Sequence, residues 1–121
     1  MEIENIKSQM RKGFLEICIL NLLMDQALYA AELMAKLQEA DLIVGEGTIY
    51  PLLNRLKKEE YLTYYWQEAQ QGPPRKYYII TEKGRPLANL IKTECLNLFK
   101  SMAIILQNNE DKNSYFGRIH L

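Results

Sequence analysis

The chain has 121 residues, enough for one compact domain with an extra element and too few for two ordinary domains. Its 48% hydrophobic and 25% charged content excludes a disordered chain. Fifteen basic residues cancel fifteen acidic ones, so no global positive field announces a polyanionic partner, and a nucleic-acid reading must rest on where the charges lie.

In residues 10–24, Lys12 and Glu16 share one helical stripe, while Phe14, Leu15, Ile17, Cys18, Ile19, Leu20, Leu22 and Leu23 fill most of the remaining arc. Such a helix is covered on more than one side, and in a chain this small one of the neighbours is expected from a second subunit. Asn21 falls opposite the charged stripe and needs a hydrogen-bond partner there. The apolar run 17–24 is too short to span a bilayer, and acids stand near the amino terminus where a signal peptide has bases. No membrane partner and a reducing cytoplasm are expected.

A break at residues 25–28 leads to a second helix over 29–40, with Leu33, Met34 and Leu37 on one face and Glu32, Lys36 and Glu39 toward water. Ile49, Leu52, Leu53 and Leu56 mark a third helix ending near Glu60. Its start is open. With Thr48 as N-cap, Pro51 lies in the first turn; with a start at Gly45 or Glu46, Pro51 removes a hydrogen bond and bends the helix.

Residues 62–67 carry Tyr64, Tyr65 and Trp66, residues 76–81 read Lys-Tyr-Tyr-Ile-Ile-Thr, and Gly72, Pro73 and Pro74 lie between them. The pattern predicts a hairpin with a long polar loop. Thr81 offers an N-cap for a last helix, regular from about Arg85 to about Gln107. Along it Ile91, Cys95, Leu98, Met102 and Ile105 recur at alternating four and three spacing, the seam of helix-on-helix packing, with Phe99 and Leu106 widening it. With Phe14 and Cys18, these five residues are assigned to a homodimer interface. Cys18 and Cys95 lack the short paired spacing of a metal or redox motif and read as core thiols. The tail 109–121 is polar apart from Tyr115, Phe116 and Ile119 and reads as loose.

The fold class that follows is mainly α with a small β-hairpin: a winged helix-turn-helix over residues 1–81, a dimerisation helix over 82–108 and the tail. In that design the third helix fits the major groove and the hairpin reaches neighbouring backbone or minor groove. With Ile49, Leu52, Leu53 and Leu56 inward, Thr48, Tyr50, Asn54 and Arg55 are left to meet DNA, and Lys57 DNA or solvent. The Gly72-Pro73-Pro74 loop is expected to deliver Arg75 and Lys76 beside each other, where each cation near a phosphate releases counterions. The expected partner is double-stranded DNA.

The residues also carry a family resemblance. Arg11-Lys12-Gly13, Leu28-Tyr29, Gly47-Thr48-Ile49-Tyr50-Pro51-Leu52-Leu53, Arg55-Leu56, Gly72-Pro73-Pro74-Arg75-Lys76-Tyr77-Tyr78 and Thr81-Glu82-Lys83-Gly84, in this order, resemble the PadR family of bacterial transcriptional regulators. The short carboxy-terminal region resembles its compact branch, with a single terminal helix. The resemblance implies a homodimer built by the first and last helices, repression at a roughly palindromic operator, and release by a small-molecule effector. It matches Thr48 and Tyr50 to DNA-facing residues and Arg75 and Lys76 to wing cations. The chain departs from the family at Ala30-Ala31, where Gly-Tyr is common, at Gly45, where a capping serine is common, and at Cys95, where drug-binding members place a tryptophan. A small hydrophobic or aromatic effector is expected around Phe14, Trp66, Cys95 and Leu98.

Two rival readings stay open: a winged-helix protein-interaction module without specific DNA binding, and a small-molecule sensor whose DNA affinity is incidental. The tyrosines and Trp66 of the hairpin could stack on single-stranded bases, but cross-strand packing is the commoner role, and Trp66 reads as a core or interface residue. No catalytic set, cofactor motif or metal site is legible, since His120 is the one histidine and stands alone in the tail. The chain is not expected to be an enzyme.

Overall fold

The computed structural model describes residues 2–108; the tail 109–121, with His120, lies outside the described residues. The elements are α1 (Ile3–Leu22), α2 (Ala30–Glu39), α3 (Glu46–Lys58), β1 (Leu62–Gln67), β2 (Arg75–Ile80) and α4 (Gly84–Asn108). The chain divides into two compact units, Met1–Ala88 and Asn89–Leu121.

In the first unit, apolar residues three and four apart supply the core: Leu15, Ile19 and Leu23 from the first helix and its exit, Leu33 and Leu37 from α2, and Ile49, Leu53 and Leu56 from α3. All are almost fully buried, and α2 lies against α1, α3 and β2 while α3 lies against β1. Helix α1 begins about two turns before residue 10, over residues that are exposed apart from the half-buried Ile6. Asn21 finds its partner in its own helix, donating from Nδ2 to the Ile17 carbonyl at 2.9 Å.

Helices α2 and α3 end alike. Asp41 (φ 62°) and Glu60 (φ 68°) adopt the left-handed conformation just past the caps. The Leu42 N–H then reaches the Leu37 carbonyl at 2.8 Å and the Tyr61 N–H the Leu56 carbonyl at 3.0 Å. These are Schellman closures, which satisfy carbonyls a helix end would leave open and set the direction of the outgoing chain. The start of α3 is resolved in favour of the earlier choice, with Gly45 as N-cap and Pro51 inside the helix. Pro51 has no N–H for the Gly47 carbonyl, and the helix tolerates this because Gly47 is exposed and water can serve that oxygen.

The hairpin pairs Leu62 with Ile80, Tyr64 with Tyr78, Trp66 with Lys76 and Gln67 with Arg75. Leu28 forms an isolated antiparallel bridge to Tyr78 on the other edge of β2. Thr81 caps the start of α4, as its position predicts. Its hydroxyl donates to the Glu60 carbonyl at 2.7 Å and accepts the Gly84 N–H at 3.0 Å. Arg85 reaches back from the same turn to the Met24 carbonyl at 3.1 Å.

In the second unit, Leu90, Leu98, Met102, Ile104 and Ile105 of α4 are exposed, and Ile91, Cys95 and Phe99 are half-buried. The five-residue seam is therefore mixed, with Ile91 and Cys95 sheltered and Leu98, Met102 and Ile105 open. Among the described residues, no helix is long and apolar enough to cross a membrane.

Gly84 is buried, and a Cβ there would collide with the Tyr61 carbonyl and the Ile80 side chain. Because the obstacle is backbone, relief requires moving the β1 start. Gly84→Ala is expected to cost about 1–3 kcal/mol in urea denaturation; a wild-type midpoint would show that the contact yields.

Candidate nucleic-acid interface

Helix α3 presents the two faces that its period implies. Ile49, Leu53 and Leu56 are buried and Leu52 is half-buried, while Thr48, Tyr50, Asn54, Arg55 and Lys57 are exposed. Thr48 lies in the first turn, at the partially positive helix end, with its own N–H donating to the Gly45 carbonyl at 3.1 Å. Arg55 stands apart from the other exposed residues. Its guanidinium pairs with the Glu16 carboxylate of α1, an acid that sequence spacing assigns only to a charged stripe. A groove of about 540 Å³ bordered by Lys12, Glu16, Thr48 and Arg55 runs between α1 and α3.

Arg75 and Lys76 are not delivered side by side by the loop. Both already belong to β2, and consecutive strand residues point to opposite faces. The Lys76 ammonium lies 4.0 Å from the Tyr64 ring centroid, with Trp66 at 5.8 Å and Tyr78 at 5.6 Å. Lys57 of α3 meets the same Tyr64 ring at 4.8 Å, so a cation from the helix and one from the hairpin share one aromatic face. On the other side Arg75 lies 4.8 Å from the Tyr29 ring, which meets Tyr77 edge-on at 5.4 Å. Tyr77 stacks on Tyr65 at 5.6 Å, so most of the hairpin tyrosines pack across the strands. Trp66 does not enter the core: it is 62% exposed.

Both cations border a groove of about 340 Å³ that also takes in Tyr29, Ala30 and Ala31 at the start of α2, Tyr50 of α3, and Trp66. Tyr78 lines it as well and is 1% exposed. Among the described residues its hydroxyl has no hydrogen-bond partner. Burial pushes the Tyr78 phenol above its ordinary value of 10.0, and the neighbouring Tyr50 and Tyr64 phenols add to the shift.

The residues expected around an effector are spread over several elements. Phe14 is half-buried on α1, Trp66 is exposed on β1, and Cys95 and Leu98 stand half-buried and exposed on α4. The groove that Trp66 borders does not include Phe14. Cys18 is half-buried on α1.

Three helices closed by a two-stranded hairpin, with the third helix exposed along one face, define a winged helix-turn-helix protein. Residues 19–89 match the model of the transcriptional regulator PadR-like family, and the chain belongs to that family, whose regulators act by binding DNA. It is 50% identical to a PadR-like transcription factor of Bacteroides fragilis, with a TM-score of 0.70 over 84% of this chain and 98% of that one. A PadR-like transcriptional regulator of Bacillus cereus is 37% identical, with a TM-score of 0.74 over 82% of this chain and 97% of the other. An uncharacterised protein of Lysinibacillus sphaericus is 30% identical over 91 residues, which cover 72% of this chain and 84% of that protein.

The raised Tyr78 value has a consequence for stability. Above pH 10 the unfolded chain releases this proton while the folded one holds it, so stability falls as pH rises through that region. Denaturant midpoints measured between about pH 9 and 11 are expected to fall less steeply for Tyr78→Phe than for the wild type; parallel curves would remove Tyr78 from the alkaline transition.

Proposed function

We propose that the protein is a homodimeric repressor that occupies a two-fold symmetric DNA site through α3 and the hairpin and is released by a small hydrophobic or aromatic effector. The observation that carries the DNA half of this reading is the exposure of Thr48, Tyr50 and Asn54 on α3 beside a hairpin bearing Arg75 and Lys76. The chain has no net charge, so these placed cations must supply the local attraction. Thr48 and Tyr50 are suited to phosphate oxygens or base edges, Asn54 to a base edge, and Arg75 and Lys76 to affinity irrespective of sequence. Arg55 is assigned to the interface with Glu16 attenuating its charge.

Dimerisation is supported by the apolar side chains that α4 leaves to solvent. Leu98 is 59% and Ile105 62% exposed, with Met102 between them, and open apolar rows of this kind mark association surfaces. Residues 82–108 are proposed as the dimerisation helix, with Ile91 and Cys95 on the same seam and Phe14 and Cys18 contributed by α1. Residues 1–81 are proposed as the DNA-binding domain. Repression follows from occupying a promoter, and an effector held near Phe14, Trp66, Cys95 and Leu98 would shift the spacing of the two α3 helices. Such a protein works where the DNA is, in the cytoplasm.

Fluorescence anisotropy of the protein's own upstream DNA across a salt series tests the first half. Affinity is expected to fall steeply with salt, and the Arg75→Ala, Lys76→Ala double variant to lose affinity uniformly and flatten the slope by about two. Binding that ignores salt, or no binding to any duplex, would refute the repressor reading. For the second half, Leu98→Glu is expected to shift sedimentation from dimer to monomer, and an unchanged profile would sink the assignment of that face.

A further inference from the structure

The hairpin groove gathers features that wing cations alone do not require. Helix α2 begins there, and the N–H groups of Ala30 and Ala31 lie in its first turn, where the helix offers no acceptors and the macrodipole is positive. Ala30 is buried and Ala31 exposed, and neither has a side chain long enough to cover that end. The nearby acid is already engaged, since the Glu32 carboxylate turns back to accept the Tyr29 N–H at 3.2 Å. Arg75 and Lys76 border the same groove from β2. Its volume of about 340 Å³ is roughly that of ten water molecules, enough for a phosphate group and part of a sugar.

The Tyr78 hydroxyl supplies an independent observation. It is buried at the wall of this groove without a partner among the described residues, and buried hydroxyls are rarely left so. It lies within electrostatic range of Tyr50, which is 42% exposed and borders the same space. An oxygen held against Tyr50 brings the acceptor that Tyr78 lacks.

We propose that this groove is a seat for one phosphate group, formed by the Ala30 and Ala31 N–H groups, the Arg75 and Lys76 cations, and the Tyr50 and Tyr78 hydroxyls. The chemistry selects a small, multiply accepting anion: donors converge from a helix end, two cations and two phenols. Because Tyr50 belongs to α3, a seated phosphodiester of bound DNA would fix the register of α3 in the groove it reads. The inference rests on the DNA-binding reading for that occupant, and it gives Ala30-Ala31 and Tyr78 roles in docking.

Trp66 is the only tryptophan of the chain and borders the groove, so its emission reports occupancy directly. The experiment follows Trp66 while inorganic phosphate, a random duplex and the upstream duplex are titrated separately into wild type, Tyr78→Phe and Ala31→Glu. Tyr78→Phe is expected to weaken both duplexes by about tenfold while its thermal midpoint holds or rises, since it removes an unpaired buried hydroxyl. Ala31→Glu is expected to weaken both at least as much, by placing a carboxylate in the seat of an otherwise unchanged fold. If the wild type binds duplex and both variants stay within about twofold of it, the seat is refuted and the DNA-binding reading stands. A Trp66 response to phosphate that Tyr78→Phe diminishes, with no duplex bound, supports the seat for a free anion and refutes the DNA reading. Silence toward phosphate with both duplex losses present supports the seat for a phosphodiester alone. No response to any of the three overturns seat and DNA reading together.

Discussion

The reciprocal backbone hydrogen bonds between Leu28 and Tyr78, at 3.2 and 2.9 Å, hold the hairpin to the helical half of the first unit. A two-stranded hairpin is marginal by itself, having too little apolar surface to bury. Here Leu28 extends the pairing on the free edge of β2, and Leu62, Tyr78 and Ile80 go into the core from the hairpin side. The same bridge sets the start of α2 beside Arg75 and Lys76. Orientation of the hairpin toward α3 thus depends on a contact between the connector of residues 23–29 and the middle of a strand.

Charge placement follows from that orientation. A chain with no net charge concentrates Lys57 and Lys76 on one tyrosine ring and Arg75 on another. Exposed cation–π contacts are worth about 0.5–1 kcal/mol, enough to bias where an ammonium rests and too little to withhold it from a phosphate. The aromatic residues therefore position the cations at small cost. Arg55 is handled differently, because its partner is a carboxylate, and opposite charge neutralises where an aromatic ring only orients. In the proposed docking, the basic side chains along α3 and the hairpin are consequently not equivalent.

The helical core is readable from period alone: Leu33, Leu37, Ile49, Leu53 and Leu56 are buried where three-four spacing puts them. So is the hairpin, because runs of aromatic and β-branched residues on either side of Gly72-Pro73-Pro74 leave few other local structures. The start of α1 is not, since residues 3–9 offer only Ile3 and Ile6 as apolar positions and their helicity continues a helix packed further along. The start of α3 is undecidable locally because Pro51 suits a first turn and is tolerated in a second when the orphaned carbonyl is exposed. For Trp66 the exposure removes the core alternative and leaves the interface one: a large ring in a strand suggests burial, but its side of the hairpin end faces outward.

The order of elements, the faces of α2 and α3 that turn inward, and the winged helix-turn-helix class are all legible in the residue order, because periodicity and turn chemistry act over a few residues. Tertiary structure alone decided that Arg55 meets Glu16, that Arg75 and Lys76 lie on opposite sides of the hairpin yet border one groove, and that the Tyr78 hydroxyl is buried without a partner. Each of these depends on residues far apart in the chain that only the packing of α1, α3 and the hairpin brings within reach. Local pattern carries the fold, and distances between elements carry the electrostatics of the site.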